Sequence, residues 1–175
     1  DFNPNDRSEL TSARFRNRAI ADAFEPGSTM KPFSVAMAIE AGVVDSTTLI
    51  DAEHGRFAIG GHTVTDTKKL DEITVSPVIS KSSNIGAAKI AMLLKPRALY
   101  NTYRALGFGE TNELPVPGEQ KGILANRKQW RPIEQATLSY GYGLSANALQ
   151  LARAYTSLTN NGALLPVSLV PLLEA

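Results

Sequence analysis

Apolar residues fill almost every position from Thr29 to Ala41, broken only by Lys31, Pro32, Ser34 and Glu40. A run with no polar face predicts a helix buried on nearly all sides, and Gly42 stands where such a helix takes its stop. Pro32 lacks a backbone N–H, so it belongs in the first turn and the helix begins close to Ser28. Downstream, Phe57 to Ile59 and His62 to Thr65 alternate about Gly60 and Gly61, the pattern of two short strands joined by a tight turn. Helical patterns then cover Asp71 to Ser80, with Thr74 as cap and Pro77 in the first turn, and Ile85 to Leu94. Another runs from Arg97 to Leu106, opened by Pro96 and closed by Gly107, Phe108 and Gly109. After a proline- and glycine-rich loop at Leu114 to Gly118, Trp130, Ile133 and Leu138 bring the chain back to the core. Ser145 is placed to cap a last helix whose apolar stripe is Leu149, Ala152, Ala154, Tyr155 and Leu158, ended by Asn160, Asn161 and Gly162. The polar, arginine-rich stretch from Asp1 to Arg18 reads as a surface loop or frayed entry.

Composition removes several function classes. With 175 residues, 43% apolar and 20% charged, the chain falls in the range of one globular domain. A net charge of +1 with scattered basic residues and no aromatic-interleaved basic patch argues against nucleic-acid binding. The best candidate for a membrane span, Phe33 to Val44, falls short of the roughly 18 to 20 residues required and contains Glu40, so no membrane contact is expected within these residues. Without cysteine there are no disulfides or thiolate metal sites, and two isolated histidines, His54 and His62, make no metal centre and read as surface residues. No signal peptide is recognisable.

The polar breaks in the first apolar run carry the candidate chemistry. Ser28 and Lys31 are three residues apart, a spacing that sets two side chains on one helical face with Cβ atoms roughly 5 to 6 Å apart. A serine hydroxyl becomes a nucleophile when a neighbouring base takes its proton, and a desolvated lysine can be that base. The 13 Ser and 8 Lys residues of the chain yield roughly 0.6 such pairs by chance, so the pair alone favours the plainer reading of an N-cap serine and a solvated lysine. A second polar cluster, Ser82, Ser83 and Asn84, sits at the joint between two helical patterns. Its residue types also suit a purely local capping role.

Taken together, four blocks change that balance: Glu25 to Phe33 (Glu-Pro-Gly-Ser-Thr-Met-Lys-Pro-Phe), Lys81 to Gly86 (Lys-Ser-Ser-Asn-Ile-Gly), Leu138 to Leu144, and Gln150 to Tyr155. In this order they resemble the monofunctional class B penicillin-binding proteins, nearest to the division-specific transpeptidases among them. The resemblance implies an α/β fold of the penicillin-binding protein and β-lactamase type, here mainly its helical half with a small β-hairpin. It implies a peptidoglycan D,D-transpeptidase in which Ser28 forms an acyl-enzyme, Lys31 is the base and Ser82 relays a proton to the leaving group. Asn84 is expected to donate to a substrate amide carbonyl, with Ser83 beside it. Tyr140 and Tyr142 are candidates for the substrate groove, with core packing equally open for each.

The chemistry so implied needs no metal and no organic cofactor. The implied partners are peptidoglycan stem peptides ending in D-Ala-D-Ala, β-lactam antibiotics and divisome membrane proteins, and the implied location is the periplasmic side of the inner membrane. No lysine here is followed by Thr-Gly or Ser-Gly, so the third motif of the family is absent. Residues 1–175 are therefore expected to be part of a transpeptidase domain, without the Lys-Thr-Gly strand or the N-terminal membrane anchor. Two rivals remain: a serine β-lactamase or penicillin sensor, weakened because no Glu-x-x-x-Asn element follows Asn84, and a non-catalytic interaction module, which has no need of Ser28, Lys31, Ser82 and Asn84 together.

Overall fold

The computed structural model describes residues 16–169. Most of the expected Asp1 to Arg18 loop therefore lies outside the described residues. The chain enters through a short helix α1 (Arg18–Ala21), strand β1 (Ala23–Phe24) and a 3-10 turn (Gly27–Met30) that runs directly into α2 (Lys31–Glu40). Three short strands follow, β2 (Leu49–Asp51), β3 (Arg56–Ile59) and β4 (His62–Thr65), then β5 (Glu72–Thr74), α3 (Val75–Ser80), α4 (Asn84–Met92) and α5 (Pro96–Ala105). The remainder is β6 (Ile123–Leu124), α6 (Pro132–Ser139), β7 (Leu144–Asn147) and α7 (Ala148–Thr159). The strands form small antiparallel sheets: β7 lies between β1 and β6, β2 pairs with β5, and β3 and β4 make the expected hairpin with Phe57 opposite Val64. The α/β class and the hairpin expected from the sequence are both present.

Helices α2 and α4 form the centre of the core. Small residues let α4 be surrounded closely: Gly86, Ala87, Ala88 and Ala91 are all buried, and it packs against α2, α3 and α6. A side chain at position 86 would put its Cβ 2.7 Å from Val78 Cγ2, so only glycine lets α3 approach this near. On α2, Phe33 is buried edge-on against Tyr155 and Phe108, with ring centroids 5.0 and 6.2 Å away. Burying a side chain of this size contributes about 2 to 3 kcal/mol. Beside it, the Ser34 hydroxyl donates to the Ser139 carbonyl at 3.0 Å and lies 2.8 Å from the Tyr103 hydroxyl, so the polar atoms buried between α2, α5 and α6 satisfy one another. Gln135 donates to the Ala91 and Leu94 carbonyls, which closes the C-terminal end of α4.

Four expectations about local structure change. The burial of α2 on all sides fails: Ile39 in its last turn is 49% exposed, and Ala36, Met37 and Glu40 line an open cleft of about 500 Å³ between α2, α5 and α7. Residues 72–74 form a strand instead of helix, because Ile73 and Thr74 are β-branched and find a partner strand in Leu49 and Ile50. The helical stretch therefore starts at Val75, with Pro77 in its first turn and no cap bond from the Thr74 side chain. The third change is α6, which Trp130, Ile133 and Leu138 did not announce as a helix. The fourth is the cap of α7, which is Asn147 and not Ser145, since residues 144–147 are the middle strand of a sheet. Asn147 Oδ1 accepts from the Gln150 backbone N–H and Gln150 Oε1 accepts from the Asn147 N–H, both at 2.8 Å. The buried line of α7 is then Gln150, Ala154 and Ser157, while Ala152 and Leu158 are exposed. Gln150 is buried because its amide donates to the Glu110 and Lys121 carbonyls, a use that apolar periodicity does not reveal.

One contact ties the C-terminal half to the turn before α2. The Gly27 N–H donates to the Gly141 carbonyl at 3.0 Å, and at Gly141, with φ of +84°, an added Cβ would collide with the Gly27 backbone. Gly141→Ala is expected to destabilise the domain by about 3 kcal/mol or more in denaturant unfolding. Gly162→Ala, at a similar positive φ but with open space around it, should cost only about 1 kcal/mol. Equal losses in the two variants would show that the close approach contributes nothing.

Candidate active site

The turn from Gly27 to Met30 leaves Ser28 exposed, while Lys31, the first residue of α2, is only 1% exposed. Their spacing brings them together without help from elsewhere: the Lys31 Nζ donates to Ser28 Oγ at 3.0 Å. It also donates to the Ser82 carbonyl at 2.6 Å and to Ser82 Oγ at 2.9 Å. A protonated amine has three donors for these three oxygens. A neutral one has two, plus a lone pair aimed at a hydroxyl. Burial pushes Lys31 down to about 8, opposed by the negative charge of Asp66. An amine in that range is deprotonated in a useful fraction of molecules near neutrality, as a general base has to be.

Ser82 reaches Lys31 with both its oxygens because its backbone is left-handed, with φ of +58°. A non-glycine residue holds that conformation at a cost of order 1 kcal/mol or more, and such outliers gather at functional sites. Two neighbouring turns fix the joint: the Ser82 N–H donates to the Ile79 carbonyl and the Ser83 N–H to the Val78 carbonyl, each at 3.0 Å. Ser83 is 1% exposed. Its hydroxyl donates to Asp66 Oδ2 at 2.5 Å and accepts from the Gly86 N–H at 2.8 Å, so it caps α4 and has no surface to offer a ligand. Asn84 begins α4 half-exposed, with Nδ2 donating to the Thr65 carbonyl at 3.0 Å; its second amide hydrogen and Oδ1 have no other partner among the described residues.

The two tyrosines separate. Tyr140 is 7% exposed and its hydroxyl is pushed up by burial, whereas Tyr142 is 49% exposed, edge-on to Tyr140 with centroids 5.9 Å apart. Tyr142 thus has accessible surface near the nucleophile turn and Tyr140 has little. His54 and His62 are exposed; His54 pairs with Asp71, and neither is bonded to Ser28, Lys31, Ser82 or Asn84. Among the described residues no group of three or more His, Asp or Glu is arranged to hold a metal ion.

Three residues that sequence reasoning missed support this centre. Tyr155 donates its hydroxyl to the Thr29 carbonyl at 2.7 Å, and Glu25 accepts from the Gly143 N–H at 3.0 Å, so the turn that carries Ser28 is pinned from both sides. Asp66 binds the start of α4. None has a local spacing signature, since their partners are 17 to 126 residues away in sequence.

A buried lysine between two serines, beside an asparagine at the head of a helix, is an arrangement equipped to activate a serine hydroxyl. Residues 1–174 match the penicillin binding protein transpeptidase domain, and the chain belongs to that family. It is 44% identical over 167 residues to a probable peptidoglycan D,D-transpeptidase PenA of Neisseria flavescens, covering 95% of this chain and 41% of that protein. It is 39% identical over 168 residues to the peptidoglycan D,D-transpeptidase FtsI of Escherichia coli, covering 96% of this chain and 28% of the relative. The chain thus spans less than half the length of these relatives. Among solved structures it superposes with a TM-score of 0.84 at 48% identity on the transpeptidase domain of Burkholderia pseudomallei penicillin-binding protein 3, covering 86% of this chain and 46% of that one. A peptidoglycan glycosyltransferase from Burkholderia ambifaria gives 0.88 at 46% identity, with 90% and 50% covered.

The geometry makes the role of Lys31 testable by substitution. In the whole protein, Lys31→Arg keeps a positive charge but cannot accept a proton, since a guanidinium stays protonated above pH 12. Acylation by a fluorescent penicillin should fall by about 10² to 10⁴-fold. Near-normal acylation would show that the lysine acts only as a charge.

Proposed function

We propose that the chain carries the acylation centre of a peptidoglycan D,D-transpeptidase active in septal wall synthesis. The observation that carries this reading is the 3.0 Å contact between Ser28 Oγ and a lysine amine whose ionisation is lowered to about 8 by burial. Neutral Lys31 takes the Ser28 proton as Oγ attacks the carbonyl carbon of the penultimate D-alanine. The Ser28–carbonyl bond forms and the C–N bond to the terminal D-alanine breaks. Ser82, 2.9 Å from the same amine, passes that proton to the departing nitrogen. An amine on a neighbouring stem peptide then attacks the ester, gives up a proton through the same pair of groups, and restores Ser28. Asn84, with one amide hydrogen uncommitted, suits a backbone carbonyl of the stem peptide, and Tyr142 offers an aromatic wall. A β-lactam enters the same route because its strained amide takes the place of the D-alanyl bond.

The carbonyl oxygen develops negative charge, which the Ser28 N–H stabilises at the head of α2, and losing one of two oxyanion donors commonly costs roughly 10² to 10³ in rate. On this reading the second donor and the groups that bind the substrate carboxylate come from a Lys-Thr-Gly strand outside these 175 residues. The open cleft lined by Met37, Glu40 and Leu158, with Ile39 exposed on the same helix, leaves α2 surface for such further structure to cover. Membrane anchoring with the domain in the periplasm, and binding to divisome membrane proteins, belong to the same proposal. Among the described residues no helix is long and apolar enough to cross a membrane.

The test is covalent labelling. Incubation of the whole protein with a fluorescent penicillin, followed by peptide mapping, should place the label on the peptide containing Ser28, and Ser28→Ala should abolish it. Label on Ser82 or Ser83 would overturn the assignment.

A further inference from the structure

Asp66 follows β4 directly, far in sequence from Ser28 and Lys31, yet its carboxylate is bound into the same centre. Oδ1 accepts from the Asn84 N–H at 2.6 Å and the Ile85 N–H at 3.1 Å, and Oδ2 accepts from the Ser83 hydroxyl at 2.5 Å. These donors include two of the backbone groups that a helix start leaves unpaired, and they favour an anion there. The carboxylate therefore fastens Ser83 and Asn84, and with them the left-handed Ser82 whose two oxygens hold Lys31. We propose that Asp66 is a positioning residue of the acylation centre, clamping the joint between α3 and α4 against Lys31. The proposal rests on the acyl-transfer reading of Ser28 and Lys31.

A pH dependence follows from the groups at the amine and on the elements packed against its helix. Ser28 from the nucleophile turn and Ser82 from the joint are uncharged. Tyr140, on the loop packed under Gly27, is kept neutral by burial. Lys89 of α4 is paired with Glu53. Asp66 is the charged group that acts on Lys31, and it favours the protonated form. Removing its charge should lower the pH at which Lys31 becomes a base.

The experiment measures the rate of fluorescent-penicillin acylation of the whole protein against pH, with thermal melting in parallel, for the wild type, Asp66→Asn and Asp66→Ala. In the wild type the rate should rise through a midpoint near 8. Asp66→Asn keeps an oxygen acceptor for the α4 N–H groups, so it should fold, with its midpoint moved to lower pH. Its plateau should fall on the order of 10- to 100-fold through lost positioning of Ser82. Asp66→Ala, with no acceptor, should fall further; if it fails to fold, Asp66→Asn alone carries the test. A midpoint in Asp66→Asn equal to that of the wild type, or an undiminished plateau, would overturn the proposal. Ser28→Ala, run alongside, separates the two readings. Label retained there would defeat the acyl-transfer reading itself, whereas an unmoved midpoint with Ser28-dependent labelling would defeat only the role of Asp66.

Discussion

A lysine amine withdrawn from water has to be given partners, and the arrangement of this domain follows from how Lys31 is given three. Burial disfavours its charged form, and each of the contacts to Ser28 Oγ, Ser82 Oγ and the Ser82 carbonyl recovers part of what hydration supplied. The balance is left incomplete, which is why the amine falls to about 8 instead of keeping an ordinary lysine value. Linkage gives the sign of the effect on stability. The unfolded chain binds the proton up to about 10.4 and the folded one only to about 8, so between those values the unfolded state is the more protonated and stability rises with pH. At neutral pH the burial of Lys31 therefore weakens the fold, and in the proposed function the same burial supplies the base.

The rest of the centre consists of devices that hold two serines against that amine. Ser28 is local to it, on a 3-10 turn kept in place by the Gly27–Gly141 and Thr29–Tyr155 bonds. Ser82 comes from 51 residues away, and its position depends on a left-handed backbone that nothing in its own side chain prefers. The close packing of α3 on α4 through Gly86 and Val78, together with the cap formed by Ser83 and Asp66, over-determines that conformation. Small-residue packing around α4 thus holds the Ser82 hydroxyl 2.9 Å from the amine.

Much of this was legible in the sequence, and the parts that were not share a cause. Where structure is set by neighbours in the chain, reading succeeded: Pro32 put the start of α2 beside Ser28, Gly60 and Gly61 marked the hairpin, and Pro96 and Gly107 bracketed α5. Ser28 and Lys31 were legible for the same reason, being one turn apart. What failed depended on distant partners. Residues 72–74 became a strand because residues 49–51 lay alongside, and Ser145 lost its cap role to a sheet formed with β1 and β6. Gln150 was buried to serve loop carbonyls. Ser83 illustrates the limit within a motif: Ser82 faces Lys31 and Asn84 bonds the Thr65 carbonyl, while the Ser83 hydroxyl turns inward to Asp66, and one residue of register along the chain separates these environments.

The ionisation of one amine decides whether Ser28 has a base beside it, and this can be observed without any reaction. Lysines carrying ¹³C at Cε can be followed by NMR through a pH titration of the folded protein, with Lys31 identified by its loss in Lys31→Arg. Lys31 is expected to titrate with a midpoint near 8, well below that of an ordinary lysine. A midpoint above 10 would mean that the amine keeps its proton at working pH, and that something other than Lys31 activates Ser28.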